Sequence, residues 1–235
     1  MAININTVYQ KVLAIANKEK RGYITPLEFN LLANQAQLDI FNQYFYDVGQ
    51  FNRLPKSEEQ YLNAIDIVKQ KISVFEKFRG APSAVSSNTI TLHVDAFELG
   101  DVFYVDSGLY TFIEKVDQKE LMDMQLSPLA APTALRPVYV KTSSNKIDIY
   151  GVSPTTSNIK HNYIKKPIDV AWGSTIVNDV SLYNSSTSIN SELHPSEETK
   201  LVVKILALSG IILEDPNLYQ SASQEEMKDL QQSKA

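Results

Sequence analysis

Apolar positions recur at helical intervals from residue 3 to about residue 79. Ile5, Val8, Val12 and Ile15 predict a short amphipathic helix, ended by the solvated turn Lys18-Glu19-Lys20-Arg21-Gly22. The next helix announces itself with Thr25-Pro26-Leu27-Glu28. Thr25 has capping-box spacing to Glu28, and Pro26 falls at the first helical position, where its missing N–H costs nothing. Phe29, Leu32, Ala33, Ala36, Ile40 and Tyr44 form one stripe, and Leu31, Leu38 and Phe45 broaden it. Gly49 is the expected end, giving a helix about 36 Å long. Ser57 and Gln60 repeat the capping spacing, and Tyr61, Ala64, Ile65, Val68, Ile72 and Phe75 follow at helical intervals.

Between residues 81 and 191 the helical period gives way to short β-rich runs broken by turn residues. Thr89–Val94, Val102–Val105 and Tyr110–Ile113 read as strands, the last two joined through Asp106-Ser107-Gly108. Val138–Val140 and Lys146–Tyr150 flank a second hairpin turn, Ser143-Ser144-Asn145. Leu182-Tyr183 and Thr187–Ile189 are expected to pair around Asn184-Ser185-Ser186. The Pro/Ala-rich stretch 127–137 reads as an extended loop or arm, with Pro128, Pro132, Arg136 and Pro137 as partner-contact candidates.

Helix then returns. Pro195, Glu197 and Glu198 suit a first turn. Leu201, Val202, Ile205, Leu206, Leu208, Ile212 and Leu213 wrap almost all round the helix, which predicts burial on most sides. Asp215-Pro216 opens a last helix that becomes polar towards Ala235. The expected fold is α+β: residues 1–80 and 193–235 pack as a helical bundle, and residues 81–192 form an inserted antiparallel β-domain. Phe29, Ile40, Tyr44, Phe45, Leu201, Ile205, Leu206 and Ile212 are the candidates for core or intersubunit packing. The dense group Tyr44, Phe45, Tyr46 and Phe51 has two readings, an intramolecular contact or an interface between copies.

Composition narrows the chemistry. The chain has no cysteine, which excludes disulfides, thiolate metal sites and a cysteine nucleophile. A net charge of −5 gives no general attraction to phosphate. The opening residues lack a signal peptide's basic-then-apolar order, and the longest apolar run, Leu201–Leu213, is too short for a bilayer and contains Lys204. Of the three histidines, His93 reads as a plain strand position, His161 as part of a solvated face beside Lys160, and His194 as a helper at a helix start. None has metal-site spacing, and no cofactor is expected. Phosphate-loop, dinucleotide and nucleophile-elbow motifs are absent among only eight glycines. Adjacent carboxylates such as Glu197-Glu198 point in different directions on a helix and make poor acid–base pairs. Lys165 and Lys166 before Pro167 read either as a solvated strand end or as a contact to DNA or an acidic neighbour.

Three stretches carry a resemblance. They are Gly22–Asn30 continuing through Gln35–Phe41 to Tyr44–Asp47; Ile147–Tyr150 with Pro154, Asn162–Pro167 and Trp172; and Glu192–Glu198 followed by Leu201–Leu213 and Asp215-Pro216. Together they resemble tailed-phage virion structural proteins, especially the connector ring proteins of crAss-like phages. The resemblance implies a non-enzymatic virion subunit, assembled in the host cytoplasm and placed below the portal as a dodecameric homo-oligomeric ring. Its neighbours would be the portal and other connector or tail proteins, with double-stranded DNA passing through without sequence-specific binding and no membrane contact. Other roles in the same particle, as a tail-hub, neck or head-completion protein, share these features. A cell-wall hydrolase and a DNA-binding regulator are the readings from other classes; the acidic balance weighs against the second.

Overall fold

The computed structural model describes residues 2–18, 24–51, 59–178 and 180–212, with isolated positions beyond. The chain is mixed α/β and divides into two compact units. One comprises residues 1–74 and 167–235, and the other Phe75–Lys166. The division falls at Val74/Phe75 and Lys166/Pro167, so residues 167–192 go with the helices and not with the β-sheet as the sequence suggested.

In the helical unit, α1 spans Ile5–Lys18, α2 Pro26–Phe51, α3 Glu59–Ser73 and α5 Glu198–Ile212. The capping box at α2 forms as its spacing requires. Thr25 N donates to Glu28 Oε2 at 2.9 Å, and Glu28 N donates to Thr25 Oγ1 at 3.3 Å. The bond from Thr25 N first, and then one from Thr25 Oγ1 at 2.8 Å, hold the Glu28 carboxyl below the usual carboxylate range. The helix does not stop at Gly49 but continues to Phe51. A glycine inside a helix carries only a modest propensity penalty of about 1 kcal/mol, which does not force an end there. On α1 the inward face is Val8, Tyr9, Val12 and Ala16, while the expected Ile15 is exposed. On α2 the expected stripe is buried, together with Gln37 and Phe41; Leu31 is exposed. Helix α2 packs against α3 and α5, and α1 against α5. At the start of α5, Pro195–Glu197 form a single 3-10 turn in which His194 accepts from Ser196 N. Glu197 lies in this first turn as expected, and it is also buried and pairs with Lys71 Nζ at 2.5 Å. The expected final helix from Asp215, the cap at Ser57 and the turn at residues 19–22 lie outside the described residues.

The segment 167–173 is extended but belongs to no sheet. Its backbone is held by side-chain amides on one face of α2. Asn30 accepts from Trp172 N at 2.7 Å and donates to Trp172 O at 3.4 Å. Asn34 does the same for Val170, at 2.7 and 3.1 Å. Gln37 donates to Ile168 O at 2.8 Å. Four helical residues rise about 6 Å and two extended residues about 6.6 Å, so the spacing of the two elements matches. On its other side, Ala171 exchanges hydrogen bonds with Ile189. The expected pairing of Leu182-Tyr183 with 187–189 does not form. Leu182 and Tyr183 lie in β10 (Val180–Tyr183), which pairs with β9 (Ser174–Val177), while Asn184 O accepts from Ser188 Oγ to close a local turn.

The second unit holds an eight-stranded sheet in the order β1-β8-β4-β5-β6-β7-β3-β2, antiparallel except between β5 and β6. The strands are β1 Glu76–Gly80, β2 Ala84–Ser86, β3 Thr89–Thr91, β4 Ala96–Asp106, β5 Leu109–Lys115, β6 Val138–Ser143, β7 Lys146–Tyr150 and β8 Ile159–Lys165. Residues 76–79 are therefore strand, paired to β8, where the helical reading had run on. His93 and Val94 fall just beyond β3, in the turn to β4. The β4–β5 hairpin turns on Ser107 and Gly108, both at positive φ (50° and 86°), as a two-residue hairpin loop requires. One face buries Ile90, Leu92, Val102, Ile113, Tyr139, Ile147, Ile149 and Ile159 together.

A helix unforeseen in the sequence, α4 (Gln118–Leu126), lies between β5 and β6. Its Leu121 packs with Val116, Val138 and Val140 on the other face of the sheet. The stretch 127–137 is not an extended arm. Ala130 N and Ala131 N donate to Ser127 O, Thr133 and Arg136 bridge each other, and Pro137 is buried. The loop passes so close to Gly151 (φ +96°) that a Cβ there would lie 2.7 Å from Thr133 O.

Two variants test this architecture. Asn34→Ala leaves both backbone groups of buried Val170 without their partner and is expected to destabilise the chain by about 2–4 kcal/mol. Asn34→Asp, which keeps only the acceptor, should fall between Ala and wild type in thermal melting; equal melting of all three would refute the ladder's role. Leu206→Asp places an unpaired charge in the core and should lower the melting temperature sharply, an effect absent if Leu206 faced solvent.

Candidate interaction surfaces

Strand alternation gives the sheet two faces of different chemistry. Val102, Ile113, Ile159, His161 and Tyr163 point to the core, so Phe103, Phe112, Lys160 and Asn162 point to the other side. Register brings Phe103 opposite Phe112 on one flank and opposite Lys160 on the other. The Phe103 ring lies 6.1 Å from Phe112 and 6.3 Å from Tyr110, both edge-on. Phe78, Tyr110 and Phe112 are exposed.

A β-bulge in β1, between Lys77 and Gly80, adds a cation to these rings. Bulges re-aim side chains at the cost of local strain. Arg79 sits at φ +56°, with its N–H donating to Asn162 Oδ1 at 3.0 Å. Its guanidinium then stands 5.0 Å from the centre of the Tyr110 ring. Phe78, Arg79, Phe103, Tyr110 and Asn162 together line an open concavity of about 640 Å³. A neighbouring depression carries Glu76, Lys77, Glu98 and Asp101, so charge changes sign across this face.

The α4 side of the same unit presents a second apolar feature. Met122, Leu126, Leu129 and Leu135 are exposed, and Leu129, in the turn after α4, is 99% exposed. Asp117, Glu120 and Asp123 accompany them, with Lys119 as the nearby cation on α4.

The residues singled out in the sequence fall elsewhere. Phe29, Ile40, Tyr44, Leu201, Ile205 and Leu206 are buried in the helical unit, which leaves their side chains no area for another copy. Phe29 packs on Tyr9 at 4.7 Å, and half-buried Phe45 packs on Phe41 at 5.0 Å. The side chains of Ile212 and Phe51 lie outside the described residues. In the loop, Pro128 is exposed, Pro132 half-buried, and exposed Arg136 lies 3.4 Å from Glu114, a surface pair that contributes little. Lys165 and Lys166 end β8, where their N–H groups donate to Phe75 O and Asp95 O; Lys166 is exposed and Lys165 half-buried. The aromatic face was missed because residues 76–79 were read as helix. Half of it was legible, since a turn on residues 107 and 108 sets Phe103 against Phe112.

Among the described residues no group of three or more His, Asp or Glu side chains converges as a metal site. No helix among them is long and apolar enough to cross a membrane. His161 is not on a solvated face: strand alternation turns it inward, fully buried, with no hydrogen-bond partner at either ring nitrogen. Tyr163 packs on it at 5.1 Å and also stacks on His93 at 5.6 Å. Burial first, then the nearby His93 and Lys160, pushes the His161 pKa down to about 4.

A pH dependence follows. The unfolded chain protonates this imidazole near the ordinary value of about 6.5, whereas the folded chain resists down to about 4. Its contribution is therefore complete above pH 6.5 and is lost, by up to about 3 kcal/mol, as pH falls towards 4. The wild-type minus His161→Leu difference in unfolding free energy should shrink or reverse over that window; a difference independent of pH would show His161 to be solvated.

Compared with family models and with curated proteins, the chain matches none of them.

Proposed function

We propose that the chain is a non-enzymatic structural subunit of a tailed-phage head-to-tail connector, working in a cyclic homo-oligomer around the DNA channel below the portal. In this reading α1, α2, α3 and α5 act as a helical bundle that serves as the rigid body of the subunit. The observation that carries the proposal is the open sheet face of the β unit. Phe78, Tyr110 and Phe112 are exposed beside the half-buried Phe103, and Leu126, Leu129 and Leu135 are exposed around α4. Exposed apolar clusters of this kind mark association sites, since a monomer gains nothing from leaving them wet. Its aromatic and arginine content is that of an interface core. The stretches that resemble connector ring proteins point to which assembly is formed.

A closed ring needs one surface of the subunit to meet a different surface of its neighbour. The channel through it should not adhere to the DNA that slides past, and a net charge of −5 supports weak adhesion to phosphate. Portal, connector and tail proteins are the partners implied, and the virion is the site of action.

The deciding experiment is imaging of purified particles, with peptide mass spectrometry of the same preparation. A ring of this chain below the portal is the expected result. A location at the tail hub, neck or head vertex would keep the structural role and move the position. Absence from particles, together with turnover of host envelope material, would overturn the proposal. In gel-shift titration the purified chain should show no salt-sensitive submicromolar binding of duplex DNA; such binding would contradict a passive channel.

A further inference from the structure

We propose that the concavity lined by Phe78, Arg79, Phe103, Tyr110 and Asn162 is the socket for the 126–135 segment of a second copy of this chain, with Leu129 as the inserted side chain. The inference rests on the ring reading and specifies the contact that reading requires. The outer face of the sheet is half covered. Over β6 and β7, Leu121 of α4 packs on Val138 and Val140. Over β1, β8, β4 and β5 the described residues leave the rings of Phe78, Tyr110 and Phe112 exposed. The same unit therefore presents an aromatic hollow and, in the turn after α4, an apolar side chain, Leu129, that is 99% exposed. Seating this turn of one copy in the hollow of the next gives head-to-tail association, which closes into a ring when the rotation allows.

Charge favours this occupant. The hollow carries the Arg79 guanidinium, with Lys160 opposite Phe103 in the register. Segment 117–126, leading into that turn, carries Asp117, Glu120 and Asp123 against Lys119, and Arg136, just beyond residue 135, is paired with Glu114 at 3.4 Å. The Glu76, Glu98 and Asp101 carboxylates, which outnumber the one cation among them, Lys77, border the hollow and disfavour the same segment. Docking is thereby oriented, with α4 of the incoming copy towards Lys160 and away from Glu98. The strained Arg79 backbone, held by Asn162, keeps the cation in place before the neighbour arrives.

The cysteine-free chain permits a direct test. Ala130→Cys, beside the projecting leucine, and Leu109→Cys, beside Tyr110, are made in separate copies of the full chain. They are mixed and treated with a short bismaleimide, both as purified protein and in assembled particles. Docking raises the local concentration of the two thiols, so joining of one variant to the other should run on the order of a hundredfold faster than in dilute mixing controls. Leu129→Asp in the Ala130→Cys copy should abolish it. Preferential joining of Ala130→Cys copies to one another would overturn the proposal. So would an absence of cross-links in both preparations. If particle imaging still shows a ring of this chain, only the socket assignment falls; if the chain is absent from particles, the ring reading falls with it.

Discussion

A strand without a sheet must find partners for its backbone elsewhere, and residues 168–172 find them in the side chains of a helix. Asn30, Asn34 and Gln37 lie on one face of α2 and meet the polar groups of Trp172, Val170 and Ile168 in turn. The arrangement works because two extended residues and four helical residues advance by nearly the same distance. It also ties together the ends of the chain's first unit. Gln37 accepts from Ser191 Oγ, Ser191 exchanges backbone hydrogen bonds with Ile3, and Trp172 donates its indole N–H to Asn6. Buried backbone groups that lose such partners cost several times what a surface ion pair contributes, so the ladder weighs more than the exposed charges around it.

The β unit depends on a different constraint, the strict alternation of its strands. Ile159, His161 and Tyr163 go inward together, which buries an imidazole among hydrocarbons and leaves its nitrogens unpartnered among the described residues. The same alternation sends Phe103, Phe112 and Asn162 outward together. A sheet with eight strands needs cover on both faces if both are apolar. Here Leu121 of α4 supplies cover by packing on Val138 and Val140, and among the described residues the rings of Phe78, Tyr110 and Phe112 stay exposed.

Much of this was legible. Capping boxes, proline at first-turn positions and stripes at helical spacing located α2 and α5, because those signals act within one turn of backbone. The hairpins at residues 107–108 and around residue 144 were legible for the same reason. The candidate surface was not, and its parts failed separately. Phe78 and Arg79 sit in a bulged strand whose pattern reads as the tail of a helix. Helix α4 is nine residues long with one buried side chain, too weak a period to stand out from strand-like neighbours. The polar residues Asn30, Asn34 and Gln37 were passed over because the apolar stripe beside them explained the helix already.

By itself the sequence determined the local elements, the lack of cysteine chemistry and the apolar character of the helices, since each is a property of residues within a few positions of one another. Tertiary structure decided where the units divide, that the 127–137 loop folds back, that His161 is buried, and which aromatic rings remain uncovered. Those outcomes depend on pairings between residues far apart in the chain, such as Asn34 with Val170 and Arg79 with Asn162. No local periodicity encodes a partner more than 80 residues away; it is selected only when competing backbone and side-chain groups have all been satisfied at once.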